Sequence, residues 1–514
     1  MSRLALSIKN AWIALVFQLI YVFVQFYARD IFLDHLGDEF MGIESTLKSM
    51  LQFLNLSELG IGTAVGFTLY KPIFNNNRDK INEIIGYLGF LYKRIGLFVL
   101  LAGLILILFF PLFFKGTDTS LGYIIFLFIS LLISNLLNYF FTYQMFLLEA
   151  DQKNYVRLII NQSVFVGRLI VQCFVLLYLK DIFLWILLEL VAPFFYVVLL
   201  RRKIRKTYPW LNFNYRTTQE IRQKHRMLLT KIKQISFHKI GSFVSNGTDN
   251  ILIFAFINPA TVAYVVNYQL VLNNINVLVS KFFAGSNASV GNLVAENDLK
   301  NITKVFWEMM ALRFFLAGTS AIMFYIGFED LIVLWLGEKY LLSPGILIAL
   351  ICIFFILQIR QPVDSFKQAY GLYADIWSPL AQSIINLAFS ILLILKYGVI
   401  GVFIGTIISQ VCIVLIWRPY YLFDKGFKLP SSIYWKGFIF HVLYFLIIGL
   451  LYMNTIDPLL EISFKSKFLN LVVKVISSGI LFGTIYFIVL QIFSKGFKDL
   501  TKRFYQIIKN KIYK

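Results

Sequence analysis

Long apolar stretches, separated by short polar ones, run through almost the whole chain. A helix that crosses a bilayer needs roughly 20 apolar residues, and this length divides the sequence into about fourteen predicted spans. They lie at residues 11–33, 41–70, 84–111, 121–148, 154–178, 181–200, 234–256, 260–284, 303–327, 341–359, 374–395, 400–422, 433–453 and 469–494. The pattern therefore predicts an all-α, polytopic membrane protein.

Basic residues are distributed unevenly over the connections between these spans. Of the 48 Lys and Arg residues, 34 lie in or within five residues of the N-terminus, the even-numbered connections and the C-terminus, and 7 lie in or within five residues of the odd-numbered connections. Since basic segments resist translocation, we predict a multi-pass protein of the bacterial cytoplasmic (inner) membrane with both termini in the cytoplasm. The net charge of +21 then indicates anionic lipid as the partner of the basic loops, and no nucleic acid.

The densest basic segment divides the chain after the sixth predicted span. Residues 201–233 contain 11 Lys or Arg and a single acid, Glu220. The predicted organisation is an N-lobe at 1–202, a basic cytoplasmic linker at 203–233, a C-lobe at 234–425, helices 13 and 14 at 426–494, and a basic amphipathic cytoplasmic tail at 495–514.

The two predicted six-helix groups show a weak internal repeat. Residues 60–66 (Gly-Ile-Gly-Thr-Ala-Val-Gly) parallel residues 285–291 (Gly-Ser-Asn-Ala-Ser-Val-Gly), and each is followed by a polar stretch, at 75–81 and 296–302. Arg29-Asp30 in helix 1 also sits where Asp249-Asn250 sits in helix 7. Repeated halves are typical of transporters that move about a central site.

Residues 54–64 (Leu-Asn-Leu-Ser-Glu-Leu-Gly-Ile-Gly-Thr-Ala), followed by Leu-Tyr-Lys-Pro at 69–72, carry a family resemblance. The segment resembles the second-helix signature of bacterial polysaccharide or O-antigen flippases of the Wzx type, in the MOP superfamily that also contains MATE exporters and lipid II flippases. The resemblance implies two pseudo-symmetric six-helix lobes forming a MATE-like V around a central cavity, two further C-terminal helices, and transport by alternating access.

The resemblance also implies a substrate and partners. The substrate would be undecaprenyl-pyrophosphate-linked oligosaccharide, a repeat unit of O-antigen, capsule or exopolysaccharide, and the partners would be a glycan polymerase and chain-length machinery. Arginine and lysine would compensate the diphosphate, while Asn, Gln, Ser and Tyr would meet the glycan hydroxyls. Bacterial MATE exporters often have a kinking proline in helix 1, and this helix 1 has none.

Charged groups inside apolar spans are costly unless they pair or face water, so they are candidate cavity residues. The deepest cations are Lys48, Arg168, Lys239 and Arg313, although Glu44 stands one turn before Lys48 and could neutralise it. Polar stripes on predicted helices 5 (Arg157, Asn161, Arg168 and Gln172), 7 and 8 add further candidates. The predicted substrate-cavity residues are Arg168, Arg313, Lys239, Lys48, Asn246, Asn250, Asn161 and Asn274. The stripes also fit hydrogen bonding between helices.

Two carboxylates are candidates for ion coupling. Glu58 and Asp249 could bind H⁺ or Na⁺, because a carboxylate in low dielectric has a raised proton affinity. No nucleotide-binding, catalytic, metal or cofactor motif is found in the sequence, so a transporter is predicted rather than an enzyme. The alternatives are a cation-coupled MATE-type exporter of small molecules and a membrane glycan polymerase or ligase.

Overall fold

The structure is a computed structural model that describes residues 3–55, 61–213, 215, 217–224, 247–283, 286–456, 464 and 466–512. These residues form helices and turns and contain no strand, in agreement with the predicted all-α class. Helices dominate because an apolar segment in hydrocarbon satisfies its backbone N–H and C=O groups within itself only as a helix.

The helices follow one another in this order: α1 Arg3–Leu54, α2 Ile61–Phe74, α3 Arg78–Ile107, α4 Phe110–Phe113, α5 Leu121–Phe141, α6 Met145–Ala150, α7 Asn154–Phe174, α8 Ile182–Thr207, α9 Gln219–Lys224, α10 Gly247–Phe256, α11 Pro259–Phe282, α12 Ser286–Ala295, α13 Leu299–Trp335, α14 Pro344–Ile359, α15 Gln361–Ala369, α16 Trp377–Tyr397, α17 Val399–Ser409, α18 Arg418–Tyr421, α19 Ser432–Leu451, α20 Lys467–Phe493 and α21 Lys495–Ile512. The π-helical segments Val175–Leu179, Gln410–Trp417, Leu422–Phe427 and Tyr452–Ile456 join or extend several of them.

Twelve helices of the described chain are long and apolar enough to cross a membrane. The number differs from the predicted fourteen at two places. Predicted helices 1 and 2 run together in α1, which is interrupted at Gly37, where φ is 77° and ψ is 170°. The end of predicted helix 7 is α10, which is shorter than a span, while residues 225–246 lie outside the described part. The prediction of a polytopic helical protein is confirmed.

Contacts divide the chain into two compact units, Met1–Leu270 and Val271–Lys514. In the first unit, α1 packs on α7, and α5 packs on α8. In the second unit, α16 packs on α17, and α13 packs on α20, α14 and α21. A cluster of aromatic rings around Phe306, including Phe366, Phe423 and Phe427, forms the centre of one core in the second unit.

The turns between helices repeat from one unit to the other. Positive φ angles occur at Asn76 and Asn297, at Gly116 and Gly337, at Gln152 and Gly371, and at Lys180 and Gly398. Each pair is separated by nearly the same stretch of chain and occupies the same position in the order of helices. Because positive φ is uncommon outside glycine, four matched pairs are strong support for an internal repeat.

The polar stretches of the predicted repeat begin equivalent helices. The side chain of Asn77 accepts a hydrogen bond from the backbone N–H of Lys80 at the start of α3, at 2.9 Å. The side chain of Asp298 accepts from the N–H groups of Lys300 and Asn301 at the start of α13, at 3.1 and 3.2 Å. Each cap follows an Asn of positive φ, so the two stretches share their local structure as well as their polarity.

Candidate substrate cavity and buried charges

A polar cavity of about 290 Å³ lies within the first unit, between α5, α7 and α8. Its lining combines two arginines with amide, hydroxyl and aromatic side chains. The lining residues are Asn135, Asn138, Tyr139, Thr142, Met145, Arg157, Asn161, Val164, Phe165, Arg168, Ala192, Pro193 and Tyr196. The polar stripe predicted on helix 5 therefore supplies one wall, since Arg157, Asn161 and Arg168 are spaced at helical turns along α7.

The Arg168 guanidinium is buried and paired with the Glu189 carboxylate of α8. Gln172 donates to the other carboxylate oxygen of Glu189 at 3.3 Å and to the Trp185 carbonyl at 3.2 Å. The guanidinium carbon also lies 4.1 Å from the centre of the Phe165 ring. The predicted cavity cation is thus held in place by a carboxylate that reasoning from the sequence did not assign to it.

Arg157 is the more accessible arginine of the cavity. Its Nη2 lies 3.0 Å from Oε1 of Glu149, and its Nε donates to Oδ1 of Asn154 at 2.9 Å. The side chain keeps 29% of its surface exposed, compared with 7% for Arg168. An anionic ligand in the cavity would therefore meet Arg157 with a smaller loss of existing contacts.

Amide and phenol groups of α5 also line the cavity. Asn55 at the end of α1 donates to Oδ1 of Asn135 at 3.2 Å and accepts from the hydroxyl of Tyr139 at 2.9 Å. Thr142 and Asn138 donate back to carbonyls of their own helix. This arrangement leaves donors and acceptors of α5 beside the cavity, as recognition of hydroxyl groups requires.

Three other predicted residues of the first unit, Lys48, Asn250 and Asp249, do not line this cavity. Lys48 pairs with Glu44 one turn earlier, as the spacing suggested, and it also interacts electrostatically with Glu189. Asn250 donates to Oγ of Ser49 at 3.2 Å, and Asp249 beside it is buried. This hydrogen bond joins two helices, which is the alternative role predicted from the sequence for the polar stripes.

Arg313 is a predicted site residue of the second unit whose charge is not neutralised by a carboxylate of the described chain. It is buried in α13, where Nη1 donates to Oε1 of Gln358 at 2.8 Å and the guanidinium carbon lies 4.1 Å from the centre of the Phe283 ring. Gln358 donates in turn to Oδ1 of Asn276 at 2.7 Å. No carboxylate of the described chain forms an ion pair with Arg313.

Of four further predicted residues, the structure describes only Asn274. Asn274 of α11 is buried. Lys239, Asn246 and Glu58 lie outside the described residues, and their roles stay predictions. Residues 56–60 of the second-helix signature also lie outside, and α2 begins directly after them at Ile61.

A charge network in the second unit was missed by reasoning from the sequence. Asp364 of α15 lies 3.0 Å from Arg418 and 3.3 Å from Arg360, and Arg418 also donates to Gln382 at 3.1 Å. Arg360 had been assigned to a connection, and Arg418 to the last turn or so of the predicted span 400–422, so neither was a candidate for a buried pair. The spacing of Arg360 and Asp364, one helical turn apart, was the signal that could have identified the pair.

A second missed cluster lies beside this network. Lys367 donates to Oδ2 of Asp375 at 2.7 Å, and the same oxygen accepts from Ser378 at 3.0 Å and from Trp417 at 3.2 Å. The first unit has charged groups at its equivalent turn after α6, where Tyr208 donates to Asp151 at 2.7 Å. Burial and this hydrogen bond raise the pKa of Tyr208.

Comparison with known proteins identifies the fold. No family model matches the chain, and no curated protein matches it in sequence. Among solved structures, it is similar to the inward closed lipid II flippase MurJ, with a TM-score of 0.64 and 16% identity over 93% of this chain and 98% of the other.

Two transporters of another kind are similar as well. An inward-facing multidrug resistance MATE family transporter of the MOP superfamily gives a TM-score of 0.59 at 13% identity, covering 81% of this chain and 99% of the other. A Vibrio cholerae MATE transporter gives 0.53 at 14%, covering 82% and 98%. The chain is a multi-pass membrane protein with the fold that the flippase MurJ and the MATE transporters share.

Proposed function

We propose that the protein is a flippase that translocates undecaprenyl-pyrophosphate-linked oligosaccharide across the bacterial cytoplasmic membrane by alternating access. The observation that carries this proposal is the cavity of the first unit, where two arginines, three asparagines and two tyrosines are enclosed by helices that are otherwise apolar. The fold shared with a lipid II flippase supports the proposal, since that protein is named for moving a lipid-linked molecule.

The chemistry of the substrate fits the residues of the cavity. A diphosphate and a glycan must cross about 30 Å of hydrocarbon, so both need a polar path. Arg157 offers a planar fork that binds phosphate oxygens through two parallel hydrogen bonds. The Asn135–Asn138–Tyr139 wall offers the donors and acceptors that sugar hydroxyls need.

Arg313 supplies a second, independent argument. A buried cation is normally neutralised by a carboxylate, and only an amide oxygen and an aromatic ring lie against this guanidinium among the described residues. A group of this kind attracts an anion whenever the surrounding helices open to water. We therefore assign Arg313 to the diphosphate as well.

A MATE-type exporter of cationic small molecules is the second candidate, and the shared fold is the observation that favours it. Such an exporter would need free carboxylates for its substrate. The buried carboxylate of Glu189 and the partly buried carboxylate of Asp364 are both engaged by arginine, so a cationic drug would have to displace a guanidinium at either one. This pairing favours the flippase.

The remaining parts of the proposal follow from the sequence. The termini are placed in the cytoplasm by the distribution of basic residues. Transport is driven by H⁺ or Na⁺ at Asp249 and Glu58, and a glycan polymerase with its chain-length machinery receives the product. The glycan is a repeat unit of O-antigen, capsule or exopolysaccharide.

The test is deletion of the gene in its host, followed by measurement of lipid-linked oligosaccharide in each leaflet and of glycan at the cell surface. The deletion strain is complemented with the native gene, with Arg157→Gln, with Arg313→Gln, and with Arg94→Gln as a control. Arg94 is an exposed arginine of α3 outside the cavity. Membrane insertion of each variant is measured in parallel.

Accumulation on the cytoplasmic side with loss of surface glycan, restored by the native gene and Arg94→Gln but poorly by the other two variants, supports the proposal. Normal surface glycan together with altered sensitivity to cationic drugs would overturn it in favour of the exporter. Full complementation by both Arg157→Gln and Arg313→Gln would refute the assignment of these arginines.

A further inference from the structure

A second cavity, of about 530 Å³, lies in the second unit where three long helices end. The start of α13, the start of α19 and the end of α20 meet there, and α21 begins at the same place. We call this cavity the terminal groove. Its lining includes Trp307, Phe440, Tyr444 and Phe493.

Three lysines line the terminal groove. Lys300 and Lys304 lie one turn apart at the start of α13, and Lys495 is the first residue of α21. All three are exposed, and among the described residues Asp499 is the one carboxylate that lines the groove with them. Because these residues cluster where the apolar spans end, the positive charge lies at the level of lipid headgroups.

The remaining wall is apolar and open to the surroundings. Phe440 and Phe493 keep 54% and 62% of their surface exposed. The wall formed by α19 extends from Ile433 to Tyr444, which is roughly 16 Å at the helical rise per residue. An apolar wall of this length, next to a cluster of lysines, has the shape and polarity of a phospholipid rather than of a soluble anion.

The base of the terminal groove is tightly packed. A Cβ atom added at Gly437 would lie 2.1 Å from the Trp307 ring, and one added at Gly496 would lie 2.4 Å from the Trp307 carbonyl oxygen. His441 is buried there, and its Nε2 shares a hydrogen bond of 3.0 Å with Oγ of Ser494. The base of the groove is therefore already formed before a ligand binds, which lowers the free-energy cost of binding.

We propose that the terminal groove is a binding site for an anionic glycerophospholipid. The phosphate lies against Lys300, Lys304 and Lys495, and an acyl chain lies along Phe440 and Phe493. The distribution of basic residues in the sequence assigns this end of the helices to the cytoplasmic leaflet, where anionic lipids attract basic groups. This site is separate from the cavity of the first unit and does not depend on the transported substrate.

The experiment uses the full-length protein in detergent, titrated with phosphatidylglycerol or with phosphatidylcholine of the same acyl chains. Native mass spectrometry counts the bound lipids, and thermal unfolding measures stabilisation. The test variant is Lys300→Gln with Lys304→Gln and Lys495→Gln. The matched control is Lys498→Gln with Lys502→Gln and Lys509→Gln, which removes three exposed lysines of α21 outside the groove.

We expect the native protein and the control to bind phosphatidylglycerol tighter than phosphatidylcholine by on the order of tenfold to a hundredfold. The test variant should lose this preference to within about twofold, because its groove keeps the apolar wall without the charges. Should the triple variant fold poorly, Lys304→Arg is expected to keep the preference and Lys304→Gln to weaken it.

If the test and control variants lose the preference for phosphatidylglycerol equally, the lipid is attracted to the basic surface in general, and the proposal is overturned. Unchanged preference in the test variant would overturn it too, as would equal stabilisation by phosphatidylcholine. Displacement of phosphatidylglycerol from the groove by equimolar undecaprenyl phosphate would mean that the site belongs to the transported lipid instead.

Discussion

The Arg168–Glu189 pair allows a quantitative prediction. The two side chains are only 7% and 5% exposed, so removing one charge leaves the other buried without its partner. We expect Glu189→Gln and Arg168→Gln each to lower the free energy of unfolding by about 3–5 kcal/mol. The double variant Arg168→Met with Glu189→Leu should lie within about 1 kcal/mol of the native protein or above it, because apolar side chains of similar volume need no desolvation of charge.

The measurement is unfolding of the purified protein in mixed micelles with increasing denaturing detergent, followed by tryptophan fluorescence. The exposed pair Lys425–Asp424, with side chains 62% and 44% exposed, is the control. Charge removal there should change stability far less, because solvent and salt screen an exposed pair. If the losses of the two single variants simply add in the double variant, the buried pair is not coupled and the reasoning is wrong.

The double variant also separates stability from transport. We expect it to keep the cavity with Arg157 in place, while the charge of Arg168 is gone. We expect transport in the complementation assay to fall at least about tenfold, the equivalent of about 1.4 kcal/mol, if Arg168 contributes to recognition of the diphosphate. Normal transport by a stable double variant would limit Arg168 to a structural role.

Three further predictions concern other polar groups. Arg313→Lys should keep part of the transport that Arg313→Gln loses, since lysine keeps the charge without the planar fork; equal activities in complementation would contradict this. Asp364→Asn should destabilise the protein by about 3 kcal/mol or more because it leaves two arginines unpaired, whereas Asp424→Asn should cost far less in the same unfolding assay. Asn77→Ala and Asp298→Ala should each cost about 1 kcal/mol, and markedly unequal losses would argue against equivalent caps in the two units.

The positions of the long helices could be read from hydropathy because lipid imposes a simple requirement on each span. The spans predicted at 121–148, 154–178 and 469–494 correspond to Leu121–Phe141, Asn154–Leu179 and Lys467–Phe493. The break inside α1 was harder to predict. The positive φ of Gly37 interrupts the helix there, but the hydropathy pattern does not specify the geometry of the break. Local backbone conformation of this kind has little hydropathic signal.

The polar partners were harder to predict. Sequence spacing placed Arg157, Asn161 and Arg168 on one face of a helix, and the structure shows them beside one cavity. Sequence spacing offered no means of choosing Glu189 as the partner of Arg168, because the two residues lie on different helices. Arg418 was not a candidate because it lies near the end of the predicted span 400–422, whereas it forms an ion pair with Asp364 of another helix.

By itself, the sequence determined that this chain is a helical membrane protein with an internal repeat and an uneven distribution of basic residues. These properties depend on residue type and spacing along the chain, which hydrocarbon and the membrane surface select directly. Tertiary structure decided which charges are neutralised, where the cavity of the first unit lies, and how the terminal groove joins three lysines to an apolar wall. Those features depend on helices distant in sequence packing side by side, which periodicity within any one helix does not specify.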